Sequence, residues 1–242
     1  MIPPVVDASW HPVINDLLND RKLVHFKNNI LPQTPFYPKG PENIFKVFST
    51  PLQDIKIVIL GQDPYPNGAT NGLAFAVNQG KPIPASLEVI RQELISEKLS
   101  VSNYTSFNWR ELTHWKDQGV FLLNTALTVE ANNAGSHLQY WQFFTIKIID
   151  YIAKCNPCIW MLWGGKARGY RSYAIGNVGM LVNKKSDFDK EEYKYPINFI
   201  LEAPHPAAEK YNKGKGEKFT GCNHFKLANE ILAHRNQSII NW

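Results

Sequence analysis

The stretch Ile55-Lys-Ile-Val-Ile-Leu60 is the most restrictive in the chain, because every residue but Lys56 is apolar and most are β-branched. A near-continuous apolar run of this length suits a strand buried on both faces, the condition of a parallel sheet covered by helices. It stops at Gly61, where polar residues begin. Similar runs occur at Val120–Leu123, Ile159–Trp163 and Phe199–Leu201, separated by stretches of helical spacing at Ser86–Glu97, Trp109–Asp117, Ser136–Lys154 and Lys166–Tyr173. Strands alternating with helices predict an α/β fold built on a central four-stranded parallel sheet flanked by helices. At 242 residues, one domain covering the whole chain is the expectation.

Around this centre the pattern predicts a helix from Trp10 to Phe26, a short one over Glu42–Phe48 and a last one over Asn223–His234, so residues 1–54 form an N-terminal helical segment. Ser86 and Ser136 are candidate N-caps, and Gly119 closes a helix ahead of the second strand. Asn183–Pro196, NKKSDFDKEEYKYP, is charged and poor in core-forming residues, which marks a surface insertion. Open parallel sheets bind ligands beyond the carboxyl ends of their strands. Four polar segments fall at such ends: Gln62-Asp63-Pro64-Tyr65, Asn124, Gly164-Gly165 and Pro204-His205-Pro206.

Composition removes several alternatives. No apolar run approaches the roughly 20 residues that cross a bilayer, and the N-terminus lacks the basic and apolar regions of a secretory signal. An intracellular location is expected. Three cysteines cannot all pair within the chain, so reduced thiols are expected, and Cys155-Asn-Pro-Cys158 supplies only half of a structural metal site, with Cys222 as the sole other thiol. The net charge of +5 favours a polyanionic partner, with basic groups at Lys210, Lys213, Lys215 and Lys218 and at Arg168 and Arg171. A solvated basic surface would look the same.

Five motifs then stand in order at separate strand ends or beside them: Gly61-Gln-Asp-Pro-Tyr65, Gly72-Leu-Ala-Phe75, Leu122-Leu-Asn124, Leu162-Trp-Gly164 and His205-Pro206. In order and spacing they resemble the motifs of family 1 uracil-DNA glycosylases, over a stretch from about Ile55 to the terminal Asn241-Trp242. The resemblance implies a monofunctional hydrolase that flips uracil out of single- or double-stranded DNA and cuts its N-glycosidic bond. It would yield free uracil and an abasic site in base excision repair, without metal or cofactor. A monomer is expected, with a protein inhibitor at the DNA-facing edge as a possible partner.

The residue types suit that chemistry. Breaking an N-glycosidic bond leaves an oxocarbenium-like sugar and an anionic base, so opposite charges must be stabilised on the two fragments and water delivered. The resemblance gives Asp63 the sugar side and the water, and His205 the base, as a neutral hydrogen-bond donor. It gives Asn124 the pairing edge of uracil, which cytosine would mismatch. Phe75 would stack on the flipped base, Tyr65 would fill the space a thymine methyl needs, and Gln62 would shape the pocket. Pro84 and Ser86, in Lys81-Pro-Ile-Pro-Ala-Ser86, and Gly164 with Gly165 match loops that approach phosphates. Taken singly, each residue also has an ordinary structural use, as turn former, cap or core aromatic.

The sequence departs from the family where His205-Pro-Ala-Ala-Glu-Lys210 replaces a serine-containing loop carrying an apolar wedge. Ala207 and Lys210 fall in this altered loop, Gly165 stands where a serine is usual, and Pro66 follows Tyr65. About four extra residues separate His205 from Gly221-Cys222. A wedge replaces stacking lost on flipping and must be apolar or aromatic; between His205 and Gly221 the large aromatic side chains are Tyr211 and Phe219, and Tyr211, nearer the matching position, is the candidate substitute, with a plain solvated loop as the other reading. Two rival readings stand beside the enzyme: a DNA-binding scaffold or processivity component with weak activity, and a small-glycoside hydrolase. The latter lacks a convincing second carboxylate at a strand end.

Overall fold

The computed structural model describes residues 2–99, 109–188, 193, 197–208 and 216–242. Its centre is a parallel sheet of β1 (Ile57–Gly61), β2 (Val120–Asn124), β3 (Ile159–Trp163), β4 (Gly179–Leu181) and β5 (Asn198–Ala203), in the spatial order β2-β1-β3-β5-β4. Every residue of β1, β2 and β3 is buried, as their apolar runs require. Burying each such aliphatic side chain contributes about 1.5–3 kcal/mol, so these strands anchor the fold.

The sheet has five strands where four were expected. The addition is β4, an edge strand of three residues that begins at Gly179 and ends at an exposed Leu181. A strand that short and that open carries no apolar run, so its sequence gives no strand pattern.

Helices cover both faces. The helix α1 (Ala85–Ser96) buries Leu87, Ile90 and Leu94, and α2 (Leu138–Cys155) buries Trp141, Phe144, Ile148, Ile149 and Ile152. A short α3 (Gly164–Arg168) leaves β3 directly, and α4 (His224–His234) precedes the C-terminal Trp242, which is fully buried with its indole N–H on the Phe225 carbonyl at 3.1 Å.

Several local expectations change. Ser86 lies inside α1, after Pro84 at the N-cap position, and α2 starts beyond Ser136, with His137 at the cap. Both hydroxyls bond elsewhere: Ser136 accepts from the Glu130 amide, and Ser86 pairs with Tyr65. The expected helix from Trp10 to Phe26 divides at Asn19–Asp20, because the Asp20 carboxylate caps a new helix, Arg21–His25, through the amides of Lys22 and Leu23. In the charged segment after β4, Phe188 is fully buried against Phe199 of β5, so that segment does reach the core.

The topology sets where a ligand can enter. The chain leaves β1 towards β2 on one side and leaves β3 towards β4 and β5 on the other. Strand order therefore reverses between β1 and β3. The β1–β2 ladder runs to its last pair, Gly61 opposite Asn124, and the β3–β5 ladder to Trp163 opposite Ala203. By contrast β1 and β3 pair only as far as Ile59 and Met161. The sheet opens between its inner strands over their last two residues.

Candidate active site

A cavity of about 460 Å3 lies at this opening, and Gln62, Asp63, Tyr65, Phe75, Pro84, Ser86, Asn124, His205 and Ala207 are all in its wall. Nine of the residues singled out from sequence thus come together in one place.

The turn after β1 is clamped by the chain leaving β2. The amides of Thr125 and Ala126 donate to the carbonyls of Gly61 and Gln62 at 2.9 Å each, and the Thr125 hydroxyl adds a bond to the Gln62 carbonyl at 2.8 Å. A Cβ at Gly61 would stand 2.3 Å from the Asn124 Oδ1 and 2.9 Å from the Ala74 Cβ, so a larger residue there would displace the Asn124 carboxamide. The Asp63 carboxylate accepts from the Gly135 amide and, at 3.2 Å, from the Gln62 side chain. Burial raises its pKa, and these two donors oppose that rise by favouring the ionised form.

Asn124, at the end of β2, is 2% exposed, and among the described residues its carboxamide has no side-chain hydrogen bond. It is free to pair with a guest. Phe75 adopts φ +63°, a left-handed backbone that a non-glycine residue enters only under constraint. The constraint is visible: Thr70 and Asn71 side chains hold the amides of Gly72 and Leu73, and the Ala74 amide bonds the Leu122 carbonyl of β2. The Phe75 ring lies 5.5 Å from that of Trp163 and 6.0 Å from the His205 imidazole. The Tyr65 hydroxyl is shared between Ser86 Oγ at 3.0 Å and the Phe75 carbonyl at 3.3 Å, and burial pushes its pKa up to about 12. It stays a neutral wall.

His205 follows β5. The Ala207 amide donates to its Nδ1 at 3.1 Å, which places the ring proton on Nε2. Burial lowers its pKa, so near neutral pH the imidazole is an uncharged donor. Gly164 packs against it from β3. With φ +87°, and a Cβ that would come 2.7 Å from the His205 Cβ, position 164 admits only glycine without rearrangement. Behind this wall Trp163 donates to Nδ1 of His224 at 3.0 Å, and burial pushes the His224 pKa down to about 3.

The other expected DNA contacts divide. Gly165 is exposed and borders a neighbouring cavity, while Lys210 and Tyr211 lie outside the described residues, as do Lys213 and Lys215. Ser86 is largely buried, its hydroxyl on Tyr65. Gly135 and Thr125 were not singled out from sequence, and Trp163 only as a member of the Leu162-Trp-Gly164 motif. Gly135 acts through its backbone and a positive φ of 82°, so only chain closure reveals it. Cys155 is exposed and Cys158 buried, and the described residues contain no cluster of three or more His, Cys, Asp and Glu side chains suited to a metal ion. No helix among them is long and apolar enough to cross a membrane.

A carboxylate, a neutral imidazole donor, a carboxamide and an aromatic ring surround a cavity at the switch of an α/β parallel sheet, a set of groups with the chemistry to stack on and hydrogen-bond a flat, polar heterocycle. The family follows from comparison. The family model described as the uracil DNA glycosylase superfamily matches residues 48–233, and the chain belongs to that family. It is 39% identical to the uracil-DNA glycosylase of Buchnera aphidicola subsp. Baizongia pistaciae over 97% of this chain and 96% of that protein. To the uracil-DNA glycosylase of Alcelaphine herpesvirus 1 it is 38% identical, over 85% and 75%. Among solved structures, mimivirus uracil-DNA glycosylase superposes with a TM-score of 0.78 at 24% identity, covering 98% of this chain and 87% of that one. A variant of the mimivirus enzyme in complex with UGI gives 0.79 at 25% identity, covering 98% and 89%.

Proposed function

We propose that this protein excises uracil from DNA by hydrolysing the bond between base and deoxyribose, a reading supported by its similarity to proteins named uracil-DNA glycosylase. The observation that carries the reading is the meeting of Asp63, Asn124 and His205, from three different strand ends, in one cavity. Uracil enters with Phe75 against its face, the Asn124 carboxamide at its N3 and O4 edge, and Tyr65 beside C5. His205 donates from Nε2 to O2 as negative charge builds on the base, and Asp63 faces the sugar cation and orients the water. His205 and Tyr65 act in the neutral forms that burial favours, whereas Asp63 acts ionised against the rise that burial imposes, with the Gly135 and Gln62 donors opposing that rise. His205 need not lose or gain a proton to act.

The scaffold alternative is not favoured, since it leaves the buried carboxylate and the strained Phe75 without a use. Tyr211 remains our proposal for the wedge on sequence grounds. A monomer and a protein inhibitor at the DNA-facing edge complete the reading, and a mimivirus variant solved in complex with UGI supports such a partner. The deciding experiment incubates the protein with a uracil-containing oligonucleotide in EDTA and then treats it with alkali. Scission at uracil alone is expected; intact strands, or cleavage at other bases, would refute the reading.

A further inference from the structure

His224 is a second buried histidine close behind the cavity, and the hydrolysis proposed above gives it no task. It is the first residue of α4, 5% exposed, and both of its ring nitrogens are engaged. Nδ1 accepts from the indole N–H of Trp163, the last residue of β3, at 3.0 Å. Nε2 donates to the backbone carbonyl of Glu202, next to the last residue of β5. One imidazole thus ties two adjacent strand ends, and a single tautomer, with its proton on Nε2, makes both bonds. Burial keeps the ring uncharged, so both bonds persist across the neutral range.

The groups on either side of this tie are held firmly. Glu93 of α1 is fully buried and takes the amides of Gly221 and Asn223 on its two carboxylate oxygens, at 2.6 and 2.9 Å, which fixes the turn leading into His224. Trp163 is 1% exposed, boxed by Phe219 and Phe225 at 4.9 and 5.8 Å between ring centroids and by Phe75 at 5.5 Å on the cavity side. An indole N–H buried so completely needs an acceptor, and His224 supplies it.

Both ties end beside His205. Trp163 leads into Gly164, where a Cβ would come within 2.7 Å of the His205 Cβ and 3.3 Å of its Cα, and Glu202 stands three residues before His205. The sheet ladder stops short of both, its last pair being Trp163 opposite Ala203. The chain that carries the donor and the chain that backs it are therefore joined a second time, through His224. A donor that must meet the uracil O2 as charge builds there is sensitive to displacements on the order of 1 Å.

Resting on the reading of the reaction given above, we propose that His224 is a positioning residue for uracil hydrolysis: by bridging Trp163 and Glu202 it sets the seat from which the His205 imidazole reaches the base. It does not border the cavity and acts through His205.

A double-mutant cycle on a uracil-containing oligonucleotide tests the proposal. His224→Phe keeps a ring and removes both bonds; its maximal single-turnover rate should fall about 10- to 100-fold, with half-saturation changing by less than about threefold. His205→Ala removes the donor itself, and adding His224→Phe to it should lower the rate by no more than about twofold, because the residue acted upon is gone. Loss of packing alone gives the opposite pattern, the same factor with or without His205. His224→Asn can place an oxygen where Nδ1 stood but is too short to reach Glu202 as well; it should lose about 3- to 10-fold, and it replaces His224→Phe in the cycle if that variant melts below the assay temperature. A wild-type rate in the folded variant, a loss carried by half-saturation, or a full-sized loss in the His205→Ala background would overturn the positioning role and leave the excision reading standing. Absence of uracil release by the wild type would overturn that reading, and this proposal with it.

Discussion

Across the cavity, the turn holding Asp63 and the turn holding His205 are secured in different ways. Asp63 depends on remote chain: its carboxylate is met by the amide of Gly135, 72 residues onward, and the Gly61 and Gln62 carbonyls just before it are held by Thr125 and Ala126. His205 is set almost within its own turn, by the Ala207 amide on Nδ1 and the Ala208 amide on its carbonyl at 2.8 Å. From outside the turn, the bare face of Gly164 packs against it. The difference explains why the loop after His205 can depart from the family pattern. The groups that orient the imidazole are backbone N–H groups, which serines and alanines supply equally, so side chains from Ala207 onward can change without moving the donor.

The largest expected effect tests the Asp63 side. Asp63→Asn keeps the shape and removes the charge, and should slow single-turnover uracil release on the order of 100- to 1,000-fold. Because the folded pKa is raised, the ionised carboxylate costs stability above that pKa, and the cost is relieved as pH falls. The variant should therefore melt no lower than the wild type at neutral pH. A near wild-type rate would remove Asp63 from its role.

Next comes the outside constraint on His205. Gly164→Ala forces a side chain into left-handed backbone, at about 1–2 kcal/mol, and presses on the histidine. A lowered melting temperature and at least a tenfold lower rate are expected. In Gly165→Ala the same methyl meets open space within a helix, so thermal stability should hold or rise slightly. Equal destabilisation by both changes would refute the packing argument.

The smallest effect is a pH dependence. The folded pKa of His205 is lowered, so its contribution to stability is present above the unfolded value near 6.5 and is lost as pH falls below it. Protonation also removes the acceptor at Nδ1 from the Ala207 amide. The acid limit of kcat/KM on the His205 side should lie below the ordinary histidine range and vanish in His205→Gln. An acid limit at or above 6.5 that moved with His205 would contradict the burial of the ring.

The same contrast shows what the sequence made legible. Ile57–Gly61, Val120–Asn124 and Ile159–Trp163 announced themselves because both faces of each are buried, and the polar residues at their ends marked the site. Gly179–Leu181 did not, because an exposed edge asks little of its residues. Ser86 and Ser136 looked like caps since capping is a local rule, but long-range partners claimed both hydroxyls. Gly135 was invisible for a related reason: a backbone donor has no side chain to be recognised by.

The early end of pairing between β1 and β3, after Ile59 and Met161, also bears on how such a protein can diversify. The cleft is a gap between two fully buried strands, so its width is fixed by packing that few substitutions can alter without cost to folding. The rim is less constrained, since Gly165 is exposed and Ala207 and Ala208 are half-buried. Lineages sharing this architecture can exchange grips on the strand, from duplex to loose ends, while keeping one base as their target.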